Sequence, residues 1–393
     1  MAQSPTAASD AGINVENDFI DRTLSKRHLL IPDLLGRVVI GHLVNEGPAV
    51  GSLLTDARVP SISYAATQAS LTSDPEYSFF SRSIPSDDDI ARVLVDILKR
   101  RGWSYIAMVM SDNTGERSAS ETFLDVAESN GICVAVQSTI PEGTTDANVF
   151  SQILSDIGAK PNVKVVVLFT SSDLAQGLYA AADGANTAQF QWVLGHRALL
   201  DPSSLDQFPM VTRGAFGVLP ESYSPMTVFN SDFDNYFRAL SPDTVNTTAD
   251  PWFAEFYQES LGCNIGSPSG GRPQCGPTQA QQSVDSYTRN PYYQGVKEAV
   301  ETATSAVCQM QTSKCPGMMG VCGQLLAATP QEWLETLRLV SVGGEQVFRQ
   351  DGRAANTVIN IYHMEMSGAG YSLQNVSIRL YGMTGDCLDC SEL

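Results

Sequence analysis

Apolar and polar residues alternate in two rhythms along this chain, and the switch between them is clearest from residue 60 to residue 112. Ile90, Val93, Leu94, Ile97 and Leu98 follow the i, i+3, i+4, i+7, i+8 spacing of one buried helical face. Ser86 or Asp87 can cap that helix, and Asp87, Asp88 and Asp89 set negative charge against the positive end of its dipole. Lys99, Arg100 and Arg101 occupy the opposite end, and Gly102 is placed to stop the helix. Short apolar runs at 59–64 and 105–110 flank it and read as strands.

The same alternation extends in both directions. Arg37 to Gly41 reads as a buried strand, and a weak helix opens at Asn45 and runs through Val50, Leu53 and Leu54. Helices are predicted at 116–130, 148–157 and 174–182, and strands at 132–140, 163–169, 190–194 and 215–219. Strands alternating with helices of this length specify βαβ units and a parallel sheet. Residues 220–225 read as a crossing segment. The character then changes to helices at 229–240, 251–261, 293–311 and 330–340, followed by 357–365 and 371–381, whose alternation suits an antiparallel pair. Met1 to about Lys26 is polar, rich in small residues and without periodicity, and is expected to be a disordered arm. The whole pattern predicts two α/β lobes joined by crossing strands around a cleft.

Composition narrows the functional classes. A net charge of −19 over 393 residues argues against nucleic acid and against an anionic membrane surface. The longest apolar runs, such as 165–169, are strand-sized, and the first residues lack the basic and apolar regions of a signal peptide. Cys263 and Cys275 bracket one loop rich in Gly, Pro and Ser, and Cys315 and Cys322 bracket another with Pro and Gly; such loops suggest disulfide staples and an oxidising compartment. Asn246 and Asn375 each open a glycosylation acceptor motif. Cys387 and Cys390 have the spacing of a redox or zinc site, but at an unstructured C-terminus they fit the start of a disulfide-rich module better. Hydrolase, phosphate-loop and dinucleotide motifs are missing, and His28, His42, His196 and His363 have no metal-ligand spacing. No catalytic residue, metal or cofactor is expected.

In a parallel α/β sheet, ligands bind beyond the carboxyl ends of the strands. Four such ends carry hydroxyls or charges: Thr67, Ser111–Asp112, Thr170–Ser172 and His196–Arg197. Arg197 suits a ligand carboxylate, or can bridge the lobes to Asp87.

Several stretches together resemble the extracellular ligand-binding domain of metabotropic glutamate receptors, which are class C G-protein-coupled receptors: PSISYAATQASLTSD, YSFFSRSIPSD, GWSYIAMV, NGICVA, DPWFAEFYQESLGC and CPGMMGVC. The resemblance spans roughly residues 36–381 and implies a two-lobed type I periplasmic-binding-protein (Venus flytrap) fold, with parallel sheets flanked by helices. Under it, residues 1–27 form the arm, 28–87 a partial lobe 1, 88–222 lobe 2, 223–355 the continuation of lobe 1, and 356–383 the closing strands of lobe 2. Residues 384–393 begin a cysteine-rich module or tail.

Carried over residue by residue, Thr67 matches a threonine that contacts the ligand's amino-acid group, and Asp87 an acid that binds its amino group. Cys133 matches a cysteine that bridges to a following cysteine-rich domain, and Cys263–Cys275 and Cys315–Cys322 match family disulfides. The family's serine pair aligns near Leu43, Val44 and Asn45. Its stacking tyrosine aligns with Thr114 or Gly115, its second acid with Arg197, and its carboxylate-neutralising lysine with Tyr292. Arg197 is therefore expected to repel an ammonium group, which implies a different ligand or none.

Sensing of an amino-acid-like small molecule by lobe closure is the implied function, with a soluble receptor-like binding protein as the alternative. The resemblance also implies a homodimer through lobe 1, placement on the extracellular face of the plasma membrane, and coupling to a heterotrimeric G protein through membrane helices outside this chain.

Overall fold

Three short strands form a parallel sheet: β1 (Val39–Gly41), β2 (Ser61–Ser63) and β3 (Phe80–Arg82), in that order across the sheet. The computed structural model describes residues 38–41, 47–184, 190–223, 240, 251–275, 292–318, 320–367, 370–381 and 387–389. The expected arm, His28, His42, Asn246, Cys390 and nearly all of the helix expected at 229–240 lie outside them. Helix α1 (Gly47–Asp56) connects β1 to β2, with Pro48 in its first turn, where a missing N–H costs nothing. Residues 80–82 carry no strand signal in the sequence, because a three-residue strand with two polar members has no visible period. Its edge is held by the Arg82 N–H, which donates to the Gly352 carbonyl at 2.9 Å.

Helix α2 (Asp87–Arg100) follows. Ser86 is its cap, with a reciprocal box in which the Ser86 N–H donates to Asp89 Oδ2 at 3.0 Å. Asp87 is thus the first helical residue, and Gly102, at φ 71°, makes the left-handed turn after the helix.

The chain then alternates through β4 (Tyr105–Ser111), α3 (Thr114–Ser129), β5 (Cys133–Ile140), α4 (Ala147–Gly158), β6 (Val165–Phe169), α5 (Ser172–Gly184), β7 (Gln191–Leu194) and β8 (Phe216–Pro220). These five strands are parallel, ordered β5-β4-β6-β7-β8. β6 is buried at every position because helices cover both faces of the sheet. Val166 and Leu168 point into one core with Phe150, Leu154, Leu178 and Trp192, on the side of α4 and α5. Val165, Val167 and Phe169 point into the other with Val93, Leu94, Ile97 and Phe123, on the side of α2 and α3.

Residues 251–275 belong to a second compact unit. Within it, helix α6 (Pro251–Leu261) leads into a loop closed by a Cys263–Cys275 disulfide, and Arg272 grips Glu259 through two bonds of 2.7 and 2.9 Å.

Back in the first unit, the long helix α7 (Tyr293–Lys314) packs on α8 (Pro330–Leu339), joined by an ion pair between Lys314 and Glu332. Cys315 and Cys322 form the disulfide of the intervening loop. A two-residue Gly343-Gly344 turn then closes the hairpin of β9 (Ser341–Val342) and β10 (Glu345–Gln346), an element with no counterpart in the sequence reading. β11 (Thr357–Ser367) and β12 (Gly370–Tyr381) form the expected antiparallel pair, and β11 lies antiparallel to β8, making the large sheet mixed and eight-stranded. Its last member, β13 (Cys387–Asp389), corrects the expectation of an unstructured tail: it pairs with β12.

Candidate functional site

The site begins where β2 ends. The Ser63 hydroxyl accepts from the backbone N–H groups of Ala65 and Ala66 at 3.3 and 2.9 Å, turning the chain sharply out of the strand. Thr67 follows, buried, and its carbonyl accepts the Asp87 N–H at 2.8 Å. The first turn of α2 is thereby fixed beside the end of β2.

Asp87 is 1% exposed, and neither carboxylate oxygen has a hydrogen bond of good geometry. Burial pushes its carboxyl up to about 7, against the Thr67 hydroxyl and the Arg82 charge, which favour the ionised form. Arg82 is 0% exposed. Its Nη1 donates to the carbonyls of Gln68 and Ala66 at 2.7 and 3.4 Å, and its Nη2 to the Thr72 hydroxyl.

A second group assembles at the carboxyl ends of β4 and β7. Asn113 caps α3 by accepting the Glu116 N–H at 2.9 Å, and its amide donates to Ser111 and Glu142, both at 2.8 Å. Glu116 is buried and lies 3.1 Å from Arg197 Nε. Burial raises the Glu116 carboxyl, opposed by Arg197. Arg197 Nη1 also reaches Asn113 Oδ1 at 3.5 Å. Arg197 therefore pairs with Glu116 and not with Asp87. Its charge is already countered within its own sheet, and this weakens the expected repulsion of an ammonium group.

Three tyrosines link the two groups. The Tyr223 hydroxyl donates to the Tyr64 carbonyl at 2.8 Å, and the Tyr292 ring meets Tyr223 edge-on at 5.0 Å and Tyr64 at 6.5 Å. Asp87 and Arg197 both act electrostatically on Tyr223, and Glu116 acts on both Asp87 and Tyr292. Thr67, Asp87, Arg197 and Tyr292 thus lie within electrostatic reach of one another as a candidate group.

Other expected positions are occupied with structure. Thr114 is exposed at the start of α3. Asp112 pairs with Arg117, and the Ser172 hydroxyl bonds the carbonyls of Arg197 and Ala198. Cys133 is an exposed free thiol at the start of β5, as is Cys308 within α7. Asn375, in β12, is exposed and donates its amide to Asn360 at 3.1 Å. Arg82 and Glu116 were not singled out from sequence. In the sequence Arg82 is a lone charge beside Tyr77, Phe79 and Phe80, whereas Glu116 follows Thr114-Gly115, the place where the family tyrosine aligns.

A separate cavity of about 290 Å³ is walled by Ser83, Glu298, Glu301, Thr302 and Glu345, among others, and includes none of these site residues. Among the described residues, no group of three or more His, Cys, Asp or Glu side chains is placed to hold a metal ion, and no helix is long and apolar enough to cross a membrane.

Comparison with known proteins gives a consistent answer. A family model described as receptor family ligand binding region matches residues 44–367. Metabotropic glutamate receptor 8 of Rattus norvegicus and of Homo sapiens are each 28% identical over 333 residues, covering 82% of this chain and 36% of the relative. Metabotropic glutamate receptor 6 of Oryctolagus cuniculus is 28% identical over 316 residues, covering 78% of this chain and 35% of the relative. The chain thus spans about a third of the length of the curated relatives it matches.

Proposed function

Because the chain belongs to the receptor family ligand binding region, a non-catalytic receptor domain related to metabotropic glutamate receptors, we propose that it senses an amino-acid-like small molecule by closure of two lobes. The observation that carries this reading is Asp87. A carboxylate buried to 1% exposure with only the Thr67 hydroxyl and no well-aligned hydrogen bond to support its charge is costly to retain, and a ligand cation or donor would satisfy it. Thr67 beside it offers a hydroxyl, and Arg197 and Glu116 present a charge pair from the other sheet. A ligand touching both groups would favour the closed arrangement by its differential affinity. In a full-length receptor on the extracellular face of the plasma membrane, such a domain would pair through lobe 1 and pass closure to membrane helices and a heterotrimeric G protein.

The test is calorimetric titration with L-glutamate and a panel of standard amino acids, with small-angle scattering to read compaction. Binding with compaction, lost in Asp87→Asn, supports the reading. Silence of every amino acid in both measurements removes it and leaves the soluble receptor-like protein with an altered site.

A further inference from the structure

We propose that Arg82 is the positioning residue of the Thr67–Asp87 subsite, gripping the loop on both sides of Thr67 and so fixing the carbonyl on which the Asp87 N–H is hung. The inference rests on the reading of Thr67 and Asp87 as a ligand subsite.

The geometry is specific. Arg82 Nη1 bonds the carbonyls of residues 66 and 68, the immediate neighbours of Thr67, while Nη2 holds Thr72 further along the same loop. The Thr67 carbonyl in turn receives the Asp87 N–H. A single guanidinium therefore fixes the segment from which one ligand-facing residue projects and on which the other is hung. Its own backbone is tied through Gly352, so the grip is braced from behind.

Stability alone is a poor explanation for this arrangement. A fully buried arginine pays a large desolvation cost, its Nε has no partner, and apolar replacements of buried charges are often neutral or stabilising. What an apolar residue could not do is hold two carbonyls apart at a set spacing and oppose a buried carboxylate. The charges felt by Asp87 are those of Arg82, Glu116 and Asp88, with the Thr67 hydroxyl adding to the first; those felt by Arg82 are Asp87, Asp89, Arg353 and Asp88. Arg82 opposes the rise of the Asp87 carboxyl, so its removal should raise that carboxyl further.

Two readouts on the full chain separate positioning from support. The first is the Asp87 titration step, taken as the difference in pH–stability profile between the chain and its Asp87→Asn variant. In an Arg82→Met background that step is expected to move up by about one pH unit or more, and in Arg82→Lys to stay in place. The second is hydrogen exchange at the Asp87 amide. It is expected to rise about ten-fold or more in both variants, since lysine keeps the charge but not the planar two-nitrogen grip, while Met108 and Val167 amides stay protected.

An unmoved step in Arg82→Met, or protection lost equally at Asp87, Met108 and Val167, overturns the proposal. Should Arg82→Met fail to fold, unchanged Asp87 exchange in Arg82→Lys overturns it on its own. Failure of Asp87→Asn to alter amino-acid binding would instead sink the subsite reading and leave the grip of Arg82 on its loop intact.

Discussion

Arg197 and Glu116, 81 positions apart in the sequence, meet at 3.1 Å in a pair whose side chains are 18% and 3% exposed. Removing one partner leaves the other charged and largely dry. Arg197→Met or Glu116→Leu is each expected to cost about 3 kcal/mol, and the combined Arg197→Met/Glu116→Leu replacement much less than the sum. Urea denaturation of the four proteins gives the coupling. Additive losses would mean that the pair contributes nothing as a pair.

The pH profile of stability should bear two opposed signatures. Burial raises Asp87 from 3.8 to about 7, so the folded state binds more protons between those values and stability falls as pH rises through them. Burial, with Arg197, lowers His196 from 6.5 to about 3, so stability is lost as pH falls below 6.5. The two slopes oppose each other and nearly cancel between pH 3.8 and 6.5, so the chain's own profile is expected to be close to flat there. Asp87→Asn should unmask the His196 limb, so that stability rises with pH up to 6.5 by up to roughly 4 kcal/mol on this shift. Thermal denaturation across pH 4 to 8 checks both limbs.

Gly352 sits at φ 84°, and a Cβ there would come within 2.4 Å of the Phe80 carbonyl oxygen and 2.9 Å of Arg338 Nη2. Arg338 also holds the carbonyls of Ser78 and Phe80, at 2.8 and 2.9 Å. Gly352→Ala therefore strains the backbone and pushes on the edge of β3. A loss of about 2 kcal/mol is expected. A midpoint unchanged in urea would show that the turn has room to yield.

The Cys263–Cys275 bridge closes a loop of sequence separation 12. Opening it with Cys275→Ser is expected to cost about 2–3 kcal/mol in its own unit. The check is proteolytic cleavage within 264–274, which should accelerate in the variant while cleavage elsewhere does not.

Much of this architecture was legible in the sequence because helix and strand periods alternate cleanly from residue 59 to residue 219, with Ser86 or Asp87 marking the start of one helix and Gly102 its end. Where elements escaped, the pattern was too short for a period. β3 has three residues, two of them polar, and β13 has three at the end of a polar segment. The β9–β10 hairpin did carry a signal, its Gly-Gly turn, beside strands of only two residues. In the site, Thr67, Asp87 and Arg197 stood out by position at strand and helix ends. Their partners did not. Arg82 and Glu116 are chosen by three-dimensional neighbours: a buried carbonyl cluster in one case, and an arginine from another βα unit in the other.

Arg338 grips a strand that the ribosome made long before. Its Nε meets the Ser81 hydroxyl at 3.3 Å across 257 positions of chain. At about 5–20 residues per second, that interval lasts roughly 10–50 s, during which β3 has neither Arg338 nor Gly352 against its edge. Until then the nascent chain must carry an open strand edge, and chains truncated before residue 338 are predicted to be cut by protease near β3 when still ribosome-bound, with protection arriving abruptly once the 338–352 segment has emerged.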